Sequence, residues 1–275
     1  AYWARREATL AGQPAALAKG VPPAILASVP DWIFELGARE FGGEWPGLLA
    51  ALNQPAAVFL RANSLHTTTH ALMGMLAQQE ISAEEVPGLP DALRLMERRK
   101  LGNSAAFCNG MFEIQDAASQ HVAPLLQVEP GQTVIDACCG AGGKTLHLAA
   151  LMRNKGRLLA LDVRDKPLHE LAYRAKRAGV SCIELGVLDK ELVHTDLFAS
   201  ADRVLLDVPC SGLGTMRRNA DVKWKLTAKE VARLTQVQAR ILGDYARFVK
   251  PGGKLVYATC SFLPDENERQ VQAFL

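Results

Sequence analysis

The sequence has no CxxC pair, no apolar run of transmembrane length and no marked excess of charge of either sign. Each absence excludes something. Six cysteines at irregular positions (108, 138, 139, 182, 210, 260) do not make a zinc ribbon or a small secreted disulfide framework, and no metal site is expected. There is no secretory n-region followed by an h-region, so the reducing cytoplasm is the expected location and a membrane is not an expected partner. A formal charge of +2 means that any nucleic-acid surface must be a local patch rather than a global basic field. No internal repeat and no low-complexity tract is present. The chain opens at Ala1 without methionine and stops within a helical run, RQVQAFL (269–275), so it reads as a fragment of something longer.

What is present is 275 residues with 49% apolar content, enough for more than one domain. DWIFELGAREF (31–41) and EWPGLLAAL (44–52) read as short amphipathic helices. AAVFLRAN (56–63) alternates like a strand, and TTTHALMGMLAQQEI (67–81) follows as a helix with Leu72, Met75 and Leu76 on one face. From residue 130 strands and helices alternate. TVIDA (133–137), RLLALDV (157–163), SCIELGVL (181–188), DRVLLDV (202–208) and KLVYATC (254–260) are strand candidates, the fourth apolar enough for a buried parallel strand. Thr227 and Glu230 form a capping-box pattern opening a helix to about Val249. This alternation predicts an open, mostly parallel sheet with helices on both faces.

The turn GAGGKT (140–145) fits neither common phosphate motif. A P-loop needs glycine at 138, where Cys138 stands, and a dinucleotide fingerprint needs glycine or alanine at 145, where Thr145 stands. A glycine turn at a helix start, with Asp162 at the end of the next strand, still suits the polar end and ribose of a nucleotide-like cofactor. The bland alternative is a tight strand–helix turn beside a surface aspartate.

Cysteine is usually a small buried hydrophobe, and Cys108, Cys138, Cys139 and Cys182 are read so from context. Cys210 and Cys260 differ. Each ends a strand candidate and precedes a serine. If the two strands are neighbours they lie about 5 Å apart, and both thiols can then reach one substrate atom at the ligand-binding edge, with Asp207 beside them. Two thiols, a carboxylate and a nucleotide-like cofactor suit methylation of an unreactive pyrimidine carbon. A thiolate adds to C6, C5 becomes electron-rich, and a base later removes the C5 proton. Lys144 is a candidate for lowering the nucleophile's pKa, or an exposed helix-start lysine.

The long runs DVPCSGLGTMRRNADVKW (207–224) and YATCSFLPDENE (257–268), with RAN (61–63) and FEIQDAASQ (112–120) upstream, resemble the RNA cytosine-C5 methyltransferases of the Fmu/Sun group, in the bacterial ribosomal-RNA branch. The resemblance covers roughly 56–275. It implies a Rossmann-like class I methyltransferase sheet, S-adenosyl-L-methionine as cofactor and RNA as partner, with no obligate protein partner evident. It implies that Cys260 attacks C6, that Cys210 assists product release, and that Asp207 lies at the cytosine ring and near the cofactor; with Lys144 these are the catalytic candidates. It further implies cofactor contacts from Cys138, Cys139, Gly140, Ala141, Gly142, Gly143, Lys144, Asp162, Asp189 and Asp207. Arg217 and Arg218, which follow the Cys210 loop, and Arg61 and Asn63 of the RAN run are the candidate RNA contacts. One departure is the turn itself: the family reads CAAPGGK where this chain has CCGAGGK (138–144), and losing proline is expected to loosen it.

The expected organisation is a helical segment (1–55), a small α/β RNA-recognition module (56–105) and a C-terminally incomplete methyltransferase domain (106–275). Arg94, Arg98, Arg99, Lys100, Lys223 and Lys225 are further basic candidates, and Trp224 either stacks a base or anchors its loop in the core. The rival readings are methylation of another RNA such as tRNA, a DNA cytosine methyltransferase with Cys210 as nucleophile, and a non-catalytic RNA-binding scaffold. The last two sit poorly with a TCS cysteine at 260 and with Asp162, Asp207, Cys210 and Cys260 occurring together.

Overall fold

The computed structural model describes residues 20–189 and 194–275, so the first nineteen residues of the expected helical segment lie outside the described residues. Short helices at Pro23–Leu26, Asp31–Phe41 and Trp45–Leu52 come first. Trp45 is fully buried against Gly37, where an added Cβ would sit 2.2 Å from the indole. Its ring packs between Phe41 and Phe262, at centroid distances of 5.9 and 5.6 Å. Leu213, Met216, Val231 and Leu263 join the same core, so these helices are seated on the loops that follow the two thiols.

A four-stranded antiparallel sheet follows, from β1 (Phe59–Ala62), β2 (Ala83–Val86), β3 (Leu89–Leu95) and β4 (Phe112–Ile114), in the order β2-β3-β1-β4. Leu60, Ala62, Leu93, Leu95 and Phe112 form one core with Leu72 and Leu76 of the helix Thr69–Ala77. That helix is capped by Thr68, whose hydroxyl accepts from Ala71 N. The module runs past the boundary of 105 read from sequence, because β1 needs β4 to satisfy its second edge.

The larger sheet holds β5 (Thr133–Asp136), β6 (Arg157–Asp162), β7 (Ile183–Val187), β8 (Ala201–Asp207) and β9 (Val249–Ala258). Every pairing is parallel and the order is β7-β6-β5-β8-β9. Val134, Ile135, Leu158, Ala160, Val204, Leu205 and Leu206 are buried, as a sheet covered on both faces requires. The chain runs outward from β5 through β6 and β7, then crosses back to β8. The order therefore reverses between β5 and β8, where ligands of such sheets bind. The helix after Thr227 ends at Tyr245, and β9 already begins at Val249, before the PGG expected to precede it.

Buried polar contacts join the two sheets. Glu113 of β4 accepts from Arg174 and Arg177 of the helix Asp165–Arg177, at 2.8 and 2.5 Å. Gly110, at φ +69°, lies so close to this helix that a Cβ would fall 2.0 Å from the Arg177 carbonyl. No helix among the described residues is long and apolar enough to cross a membrane.

Candidate active site

Strands β8 and β9 pair in register with Asp207 opposite Ala258. Cys210 lies three residues past the first and Cys260 two past the second, so the thiols leave the same sheet edge together. Their sulfurs are 3.2 Å apart, too far for a disulfide. The Cys260 N–H also donates to the Cys210 sulfur at 3.2 Å. The pair is asymmetric. Hydrogen bonding from Cys210, helped by the charge of Lys144, lowers the Cys260 pKa against the opposing effects of burial and Asp207. The same bond, together with burial, raises that of Cys210. Of the two thiols, Cys260 is therefore the more acidic.

Lys144 stands in the first turn of the helix Gly143–Leu151, and its Nζ donates to Asp207 Oδ2 at 2.5 Å. Their side chains are 15% and 30% exposed, so the pair is only partly screened by water. It stands between two cavities. The first, about 810 Å³, is lined by Cys260, Thr259, Lys144, Arg217, Arg218 and Arg94, with Leu48, Leu52 and Phe59 supplying apolar surface. The second, about 680 Å³, is lined by Cys138, Gly140, Asp162, Asp207 and Pro209, with Phe198, Ile241 and Phe248 forming an apolar end.

Asp162 is 7% exposed; its Oδ2 accepts from Gly140 N at 3.0 Å and its Oδ1 from Arg164 N at 2.9 Å. It thereby holds the glycine turn against the second cavity. Gly142 has φ +82°, and a Cβ there would lie 2.1 Å from Leu171 Cδ1, so both backbone angle and space demand glycine. The turn lacks proline but is held from outside, since the Ala141 carbonyl accepts from Arg174 at 2.6 Å and that of Gly143 from Arg61 at 3.5 Å. The Asp189 carbonyl accepts from His194 Nε2 at 3.0 Å, and His194 lines the second cavity.

Several sequence expectations need correction. Cys139 packs with Leu146, Leu168 and Leu171 in a hydrophobic core and does not line the cavity; Ala141, Gly142 and Gly143 shape the turn from behind. Burial raises the pKa of both Cys138 and Cys139, in keeping with their reading as small apolar residues. Arg61 and Asn63 are not on an RNA surface. Arg61 is 2% exposed and donates to Gln115 at 2.7 Å, while Asn63 is 6% exposed and donates to the carbonyls of Gly110 and Ala178. Both join the two sheets. Lys223 is buried on Asn53, whereas Trp224 is 58% exposed and does not anchor a core. Arg217 and Arg218 do border the first cavity. Arg217 donates to the Gln54 and Pro55 carbonyls, and Arg218 pairs with Asp116. Glu113, Arg174, Gln238 and Glu266 escaped the sequence reading, because nothing in local spacing separates a buried charged or amide residue from a solvated one.

The pattern of residues 123–275 matches the family model described as 16S rRNA methyltransferase RsmB/F, and residues 29–101 match the ferredoxin-like domain of RsmF/B-like methyltransferases. The chain is 38% identical over 252 residues to the "Probable ribosomal RNA small subunit methyltransferase B" of Synechocystis, covering 90% of this chain and 56% of that protein. It is 33% identical over 249 residues to the ribosomal RNA small subunit methyltransferase B of Klebsiella pneumoniae, covering 90% and 57%. The crystal structure of a methyltransferase homolog protein from Pyrococcus horikoshii superposes with a TM-score of 0.80 at 29% identity, over 92% of this chain and 82% of that one. The chain thus spans a little over half the length of these curated relatives. A class I sheet with its order reversed at the site, a ferredoxin-like module on the expected side and a family pattern running through both thiols agree: the chain belongs to the RsmB/F family of 16S rRNA methyltransferases.

Proposed function

We propose that this protein transfers a methyl group from S-adenosylmethionine to C5 of a cytosine in RNA, ribosomal RNA being the favoured target, through a covalent bond between Cys260 and C6. The observation that carries the reading is that Cys260 and Lys144 line one cavity while Asp207, paired with Lys144, lines the other, with Cys210 hydrogen-bonded to Cys260. The second cavity suits the cofactor. Its apolar end fits an adenine, Asp162 lies where ribose hydroxyls bind in such sheets, and the cradle under Gly140 is one that a side chain at Gly142 would disrupt. The cofactor supplies an electrophilic methyl group.

The first cavity suits RNA. It is bordered by arginines and is large enough for an unpaired nucleotide, the form in which bases become accessible to such enzymes. Cys260, the more acidic thiol, adds to C6, and the C5=C6 electrons move onto C5. Lys144, which lines this cavity and is held by Asp207, offers its positive charge to the electron-rich ring. After methylation the C5 proton passes to solvent water, the electrons return to the C5=C6 bond, and Cys260 is expelled as a thiolate. Cys210 serves this release by donating its S–H to the departing thiolate, re-forming the sulfur–sulfur hydrogen bond.

The test is a denaturing gel of variants incubated with RNA and cofactor. Cys260→Ala is expected to give neither methyl transfer nor adduct, and Cys210→Ala to accumulate a protein–RNA adduct that survives denaturation. An adduct from Cys260→Ala with none from Cys210→Ala would reverse the assignment and favour a DNA-type mechanism. Wild-type protein that leaves every RNA unmethylated would favour a scaffold.

A further inference from the structure

Beyond the thiols, a buried polar cluster is centred on Glu266, a carboxylate with no exposed surface. Its Oε1 accepts from Ser211 N at 2.8 Å and from Gln238 Nε2 at 2.9 Å, and its Oε2 from Ser211 Oγ at 2.5 Å. Ser211 directly follows Cys210. Gln238, itself fully buried on the helix Ala228–Tyr245, also donates to the carbonyl of Pro209, directly before Cys210. Glu266 therefore grips both sides of the first cysteine.

The next residue grips the second. Asn267 Nδ2 donates to the carbonyls of Ser261 and Leu263, at 3.1 and 2.9 Å, and its Oδ1 accepts from Thr259 Oγ1 at 2.7 Å. Thr259 and Ser261 flank Cys260. The two halves are also joined directly, since Ser211 Oγ lies 3.0 Å from Ser261 Oγ. A hydroxyl has one proton. That of Ser211 goes to Glu266, so that of Ser261 points back at Ser211. The chain of bonds runs without a break from the Cys210 loop to the Cys260 loop through one dipeptide.

We propose that Glu266 and Asn267 are positioning residues that set the separation of the two thiols and thereby how readily Cys260 acts as a nucleophile. The proposal rests on the reading of Cys260 as the attacking group. The reason is geometric. A sulfur–sulfur hydrogen bond is weak and short-ranged, and two cysteines on loops after separate strands keep it only if the loops cannot move apart. A buried carboxylate accepting three hydrogen bonds is costly to displace and holds the first loop rigidly.

The experiment measures alkylation of Cys260 by iodoacetamide as a function of pH, without RNA, followed by peptide mass spectrometry. Glu266→Gln puts an amide where an acceptor faced two donors of Ser211. Its alkylation profile is expected to move to higher pH, with the rate at neutral pH falling about tenfold, the factor for losing one hydrogen bond to a charged acceptor. The exposed Cys108 serves as internal control and should not change. Ser211→Ala removes only the hydroxyl bridge and is expected to give a smaller displacement in the same direction; it decides the matter if Glu266→Gln fails to fold. Folded variants of both kinds with the wild-type profile would overturn the proposal. Methyl transfer measured in parallel separates the two readings. If wild-type protein methylates no RNA, the proposed function fails, while the alkylation profile still reports whether the dipeptide positions the thiols.

Discussion

Glu113→Ala should be the most destabilising single change at the junction between the two sheets. Glu113 is 4% exposed and, among the described residues, carries the only negative charge within hydrogen-bonding distance of Arg174 and Arg177, whose side chains are 15% and 9% exposed. Arg61, 2% exposed, is close enough for burial to depress its pKa to about 10 while Glu113 pulls the other way. Removing the carboxylate leaves buried guanidinium groups without a counter-charge, and Arg177 Nε is already unpartnered. Breaking such a set from one side costs about 3–5 kcal/mol, against a total stability of roughly 5–15 kcal/mol. With a urea dependence of about 3 kcal/mol per molar, the unfolding midpoint should fall by about 1–1.7 M at unchanged slope. Glu113→Ala combined with Arg174→Met and Arg177→Met should recover much of the loss, because no uncompensated charge then remains. A Glu113→Ala midpoint within about 0.3 M of wild type would show that water screens the cluster after all.

Three further outcomes follow from the site. Asp162→Ala should weaken S-adenosylmethionine binding by about 1–3 kcal/mol in calorimetry, the range for losing hydrogen bonds to a charged group; unchanged affinity would remove Asp162 from the cofactor site. Arg217→Ala with Arg218→Ala should lower the slope of log affinity for RNA against log salt by roughly 1.5, with cofactor affinity unchanged; an unaltered slope would make both arginines structural. His147 is 3% exposed, its Nδ1 has no partner, and burial depresses its pKa from 6.5 to about 2. The native protein therefore refuses a proton that the unfolded chain accepts. The stability this contributes is complete above pH 6.5 and drains away as pH falls toward 2. His147→Gln should flatten the acid limb of a urea-midpoint profile, and a parallel limb would show that His147 titrates normally.

What the sequence could carry is what repeats along the chain. Near-continuous apolar runs ending in Asp136, Asp162 and Asp207 are locally distinctive, and they announce parallel strands whose ends meet at one edge. That placed Cys210 and Cys260 at one sheet edge, and the pairing of β8 with β9 in the tertiary structure made them neighbours. Gly142 was legible for a similar reason, since a turn into a helix restricts one backbone angle. What only the tertiary structure decided concerns residues whose partners lie far off in the chain. Arg61 and Asn63 read as exposed RNA contacts, but meet Gln115, Gly110 and Ala178 across the junction between the sheets. Cys139 and Cys138 are chain neighbours, yet one faces a core and the other a cavity. Glu266 sits in a run of acidic and amide residues that resembles any solvated turn, and its burial depends on Gln238, twenty-eight positions earlier, and Ser211, fifty-five earlier. Periodicity records which face of an element is apolar. It carries no record of which polar group will find a donor after the elements have packed, because desolvation and hydrogen bonding are settled between segments and not within them.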